Sequence, residues 1–83
     1  MAPGRLSSAR KKTVGMKQTI KAVDRDQARV VFIAQNADRH VVEPIIKSCL
    51  DKAIPVICVD TMQELGKACG IDVGCASAAI IEE

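Results

Sequence analysis

Four cysteines, a single histidine and a few aspartates are the residues of this sequence that could attack a substrate, hold a metal or move a proton. A nucleophilic cysteine needs an activating base beside it. Only His40 could serve, and it reads as a surface histidine in a loop or helix start. Cys49, Cys58, Cys69 and Cys75 contain no C-x-x-C pair. They sit inside apolar patterns, where a reduced cysteine behaves as a small hydrophobe. Asp38, Asp60 and Asp72 read as cap or turn residues. Gly66, Gly70 and Gly74 recur every four residues, as in a membrane dimer motif, but Lys67 and Asp72 interrupt them and no apolar run of about 20 residues surrounds them. Neither a phosphate-binding Walker loop nor a dinucleotide fingerprint is present. These residues predict no enzyme, no metal and no cofactor.

A different chemistry follows from charge. Residues 1–21 hold Arg5, Arg10, Lys11, Lys12, Lys17 and Lys21 and no acid, while all ten acids fall in residues 22–83. A basic end of this kind is an electrostatic footprint for phosphates. Phe32 is the one aromatic residue, so bases have no platform on which to stack. RNA would have to be read by shape, hydrogen bonds and aliphatic contact. Gly15-Met16-Lys17-Gln18-Thr19-Ile20-Lys21 offers the polar part. Gly15 lets backbone approach closely, the helix start after it favours phosphate, and Lys17 and Lys21 lie one turn apart. Gln18 presents both a donor and an acceptor. Ile71-Asp72-Val73-Gly74 offers the aliphatic part. Its apolar residues could equally staple the end of a helix.

The elements that must position these segments are legible as patterns. Leu6 and Ala9 predict a short helix near 5–11. Met16, Ile20 and Val23 predict an amphipathic helix near 16–24. Val30–Ala34 and Pro55–Val59 are short β-branched runs that read as strands buried on both faces. Asn36–Arg39 reads as a loop. Beyond it the helical repeat runs to Ala53, with Pro44 placed in a first turn and the regular helix starting near Glu43. Thr61–Glu64 is a capping box, Gly70 a left-handed helix end, and Cys75–Ile81 a final strand. The alternation predicts an α/β/α sandwich over one domain, with a largely parallel sheet and a short extra strand near Lys12–Val14. Residues 1–4 are expected to be flexible.

Taken together, the Gly15–Lys21 segment and the stretch from Leu65 to Gly74 resemble the kink-turn RNA-binding family of ribosomal proteins. That family comprises archaeal L7Ae with its eukaryotic ribosomal and small-nucleolar relatives, and its short bacterial YbxF-type members are the most similar. The resemblance runs from about Leu6 to Ile81. It implies an α/β fold, a three-layer α/β/α sandwich with a four-stranded mixed sheet. It also implies binding to RNA in which a bulge bends a helix beside tandem sheared G·A pairs. On this resemblance Gly15, Met16, Lys17, Gln18 and Lys21 enter the widened groove, and Ile71, Asp72, Val73 and Gly74 pack on the extruded loop nucleotides. Lys17-Gln18 departs from the Asn-Glu pair of many members, trading a carboxylate acceptor for added cationic attraction.

The expected partner is therefore a structured RNA with a kink-turn, either ribosomal or riboswitch-like, bound by a monomer. No DNA or membrane partner is expected. The start of the chain has no apolar signal-peptide core, so a cytoplasmic location is expected. A protein–protein adaptor using the same helix start and aliphatic loop is the alternative. Ionic strength separates the two, because phosphate contacts weaken steeply with salt.

Overall fold

In the computed structural model, which describes residues 4–83, four strands and four helices alternate along the chain. They are α1 (Gly4–Ser8), β1 (Lys11–Val14), α2 (Met16–Asp24), β2 (Val30–Ala34), α3 (Arg39–Asp51), β3 (Val56–Val59), α4 (Met62–Ala68) and β4 (Ser77–Glu82). The expected flexible start falls largely outside the described residues, and Gly4 is already helical. α1 ends sooner than the expected 5–11, because Lys11 begins a strand.

Strand alternation divides the core in two. On β2, Val30, Phe32 and Ala34 face one side of the sheet, and Val31 and Ile33 face the other. β4 does the same with Ala78 and Ile80 against Ala79. The first set packs with Leu6 of α1 and Leu65 and Ala68 of α4. The second packs with Ala22 and Val23 of α2 and Val42, Ile45 and Cys49 of α3. The result is a three-layer α/β/α sandwich. Each buried Val, Ile, Leu or Phe contributes about 1.5–3 kcal/mol of transfer free energy to it.

The sheet order is β1-β4-β2-β3. β2 and β3 pair in parallel, whereas β4 runs antiparallel to both β1 and β2. The expectation of a largely parallel sheet is therefore corrected. β1, β2 and β3 share a direction, and the last strand is inserted against them between β1 and β2. Element alternation does not reveal this, since a reversed final strand has the same apolar composition as a parallel one.

Three further expectations are corrected. β3 is an edge strand with Ile57 and Cys58 exposed, not a strand buried on both faces. Cys58 is thus a surface thiol, while Cys49, Cys69 and Cys75 are buried and all four are unbridged. α3 starts at Arg39, where the Asp38 carboxylate accepts from the His40 amide at 2.9 Å. Pro44 consequently lies inside the helix, on its exposed side, where a carbonyl deprived of its donor can turn to water. β4 begins at Ser77, so Cys75 belongs to the preceding loop.

A candidate nucleic-acid interface

Reversal of β4 creates the site. Because β4 runs against β1, its first residue lies beside the last residues of β1. The Gly15 amide donates to the Ser77 carbonyl oxygen at 3.0 Å, which extends the ladder to the threshold of α2. The Ser77 hydroxyl donates to the Met16 sulfur at 3.1 Å. The α4–β4 loop that carries Ile71–Gly74 leads directly into Ser77. The two segments singled out in the sequence, 56 residues apart at Gly15 and Ile71, are thereby brought to one end of the sheet.

The start of α2 is open. Gly15 has φ +89° and ψ 167°, a region that only glycine occupies readily, and it supplies no side-chain cap. The first-turn amides of an α-helix have no partners within the helix, so those of α2 stay available to an acceptor. Lys17, Gln18 and Lys21 are exposed around this start, and its first turn holds no acid. Gln18 folds back so that its Oε1 accepts a long bond, 3.4 Å, from the Val14 amide, leaving its NH2 group free to donate. The helix is fixed from below by two buried hydroxyls, Thr13 and Thr19, which share a 3.0 Å hydrogen bond between β1 and α2. Neither threonine stands out in the sequence, where each reads as an ordinary strand or helix position.

The second half of the site is a shaped loop. Gly70, at φ +81°, ends α4. Its amide donates to the Lys67 carbonyl, and the Ile71 amide donates to the Gly66 carbonyl, each at 3.0 Å. This pair of bonds is a Schellman motif. Ile71 is half-buried and packs on the α4 side of the core, so it staples the helix end while keeping part of its surface outward. Val73 is 69% exposed, far more than a β-branched apolar side chain gains from contact with water. Asp72 and Gly74 are also exposed.

Gly66 decides where this loop lies. A Cβ at that position would stand 2.0 Å from the Val73 carbonyl oxygen, so only glycine lets the loop rest on α4. A glycine inside a helix costs about 1 kcal/mol relative to alanine. That cost, visible in the sequence, is the signal that a close approach is needed there. Asn36 also supports the site, since its side-chain oxygen accepts from the Met62 amide at 2.8 Å and fixes the start of α4. Beneath the loop, Cys75 is held below the usual thiol range by a hydrogen bond from Cys69 and by the Gly15 backbone amide. Cys69 is pushed up by the same contact and by burial.

Among the described residues, no three His, Cys, Asp or Glu side chains converge as a metal site would require. His40 is exposed on α3. No described helix is long and apolar enough to cross a membrane.

Comparison with known proteins gives the family and the fold. The family model described as the ribosomal protein L7Ae/L30e/S12e/Gadd45 family matches residues 3–83. RNA-binding protein TTE2299 of Caldanaerobacter subterraneus is 51% identical over 69 residues, covering 83% of this chain and 84% of its own length. RNA-binding protein YbxF of Geobacillus stearothermophilus is 38% identical over 81 residues, 98% of this chain and 99% of its own. Among solved structures, the Giardia lamblia 15.5kD RNA binding protein superposes with a TM-score of 0.85 at 28% identity, over 96% of this chain and 68% of that one.

Proposed function

The chain belongs to the ribosomal protein L7Ae/L30e/S12e/Gadd45 family, and on that footing we propose that it is a non-catalytic RNA-binding protein that recognises kink-turns. The observation that carries this reading is the uncapped start of α2. It presents free backbone amides, Lys17, Gln18 and Lys21 on one side, with an exposed aliphatic loop beside it. A helix start of this kind favours phosphate and polar base edges. Val73 and the outward surface of Ile71 suit the apolar faces of nucleotides that have left the stack. An ordinary A-form helix offers neither, because its major groove is too narrow for side chains. A bent RNA with a widened groove and extruded bases offers both. Names of the relatives support the broader part of the reading, as each is described as RNA-binding. The target is a kink-turn in a ribosomal or riboswitch-like RNA, bound in the cytoplasm by a monomer, with no DNA or membrane partner.

Binding would work by stabilising the bent RNA over its extended ensemble. The test is a gel-shift titration of a kink-turn RNA against a copy whose tandem G·A pairs are replaced. Clear preference for the kink-turn is expected, and equal binding to both would overturn the reading. Val73→Asp should weaken kink-turn binding while leaving the thermal midpoint nearly unchanged, because the side chain is largely exposed. Undiminished binding by that variant would remove the loop from the interface.

A further inference from the structure

A groove of about 320 Å³ lies between the edge strand β1 and α2. Lys11, Gln18, Lys21 and Gln27 rim it, Ile81 contributes to its floor, and no carboxylate lines it. Three of the acids nearby are paired with other cations, whereas Asp24, one turn along α2 from Lys21, enters no ion pair among the described residues and does not line the groove. Glu83 pairs with Arg5, Glu82 lies 3.8 Å from Arg10, and Asp26 lies 2.9 Å from Lys52. Lys12 also borders the groove, but its amine turns 3.5 Å from the Leu6 carbonyl. Among the described residues, Lys11 and Lys21 enter no ion pair. Of the six cations in the basic first quarter of the chain, the arginines are thus spent on the carboxyl end of β4, while two unpaired lysines face this groove.

The edge strand adds backbone donors. Gly15 is bonded to Ser77, so the alternation of an antiparallel ladder turns the Val14 and Lys12 amides away from β4. The Val14 amide reaches Gln18, and that of Lys12 faces the open edge.

We propose that this groove is a track for the phosphates of the RNA stem that adjoins the kink, with Lys11 and Lys21 as its cations and the Gln27 carboxamide as a neutral donor. The inference rests on the RNA-binding reading above and extends its footprint to residues outside the helix start and loop. Ammonium groups suit the task because they attract phosphate as point charges without demanding one orientation. The groove is open along the strand edge, so a continuous polymer can lie in it. It is continuous with the candidate site, since Gln18 and Lys21 border both.

The test is kink-turn affinity of wild type, Lys11→Gln and Gln27→Ala between 50 and 200 mM salt. Each neutralised phosphate contributes about 0.9 to the slope of log affinity against log salt. The fourfold rise in salt should therefore cost Lys11→Gln roughly 3-fold less affinity than it costs wild type. Gln27→Ala should lower affinity with no change of slope. Both variants should keep the wild-type preference for intact G·A pairs. An unchanged slope in Lys11→Gln would overturn the track and leave that lysine only as a guard against strand pairing at the sheet edge. So would a loss of G·A preference in Lys11→Gln, which would place it at base edges. Failure of the kink-turn reading is distinguishable. Wild type would then lack the preference, while Lys11→Gln would still flatten the salt response on any structured RNA.

Discussion

Two helices, α2 and α4, begin at the same end of the sheet and begin differently. α4 is closed by side chains. The Thr61 hydroxyl accepts from the Glu64 amide at 3.1 Å, the Asn36 oxygen accepts from the Met62 amide, and Glu64 places an acid in the first turn. α2 has none of these. It begins at a glycine without a side-chain cap, and its first turn carries Lys17. A side-chain cap is worth about 1 kcal/mol, and a cation near a helix start is unfavourable by a fraction of that. α2 therefore forgoes stability at the point where α4 secures it. That difference is what the proposed contact with phosphate requires, since the amides at the open start of α2 remain available to an acceptor.

Three substitutions probe that contrast. Lys17→Glu should have the largest effect, and its two readouts should move in opposite directions. The acid complements the helix dipole and should raise folding stability by about 0.3–1 kcal/mol. Kink-turn affinity should fall at least tenfold, as a cation that faces phosphate becomes an anion. Urea unfolding and RNA titration read the two effects, and unimpaired affinity would show that α2 starts outside the interface. Gly66→Ala comes next. The new methyl must displace the Val73 carbonyl, which should cost about 1–3 kcal/mol through overpacking and weaken kink-turn binding several-fold. A fully stable variant with wild-type binding would mean that the loop tolerates other positions. Thr61→Ala should have the smallest effect on RNA. Loss of the cap should cost about 1 kcal/mol in urea with affinity unchanged, and a matching loss of affinity would erase the distinction between the two helix starts.

The bounds of α2 and β2 are legible in the sequence to the residue, because each pattern is strong and sharply terminated. The α2 period begins after Gly15 and gives way to the polar run Asp24–Gln27, and β2 is an unbroken apolar run. β3 reads as buried on both faces because an edge strand and a central strand can share one apolar composition. α3 reads as starting late because Pro44 suits a first turn, yet the Asp38 cap precedes it and outweighs that preference. Strand direction is least legible, and it matters most. Nothing in Cys75–Ile81 shows that β4 reverses, although that reversal unites the two halves of the candidate site. Gly15, Gln18 and Val73 can be found as surface features of short motifs. Thr19 and Ser77 cannot, because each acts by supporting another segment across the fold, and Gly66 is marked only by its cost inside a helix.

The bond from the Gly15 amide to the Ser77 carbonyl makes the threshold of α2 part of the β-ladder. Little of the protein then has to reorganise when RNA arrives, so most of the conformational cost of the proposed complex falls on the nucleic acid. Apparent affinity scales with the fraction of partner already in the competent state. Divalent cations that favour the bent RNA should thus tighten binding in proportion to the bent population, up to a plateau once the free RNA is fully kinked.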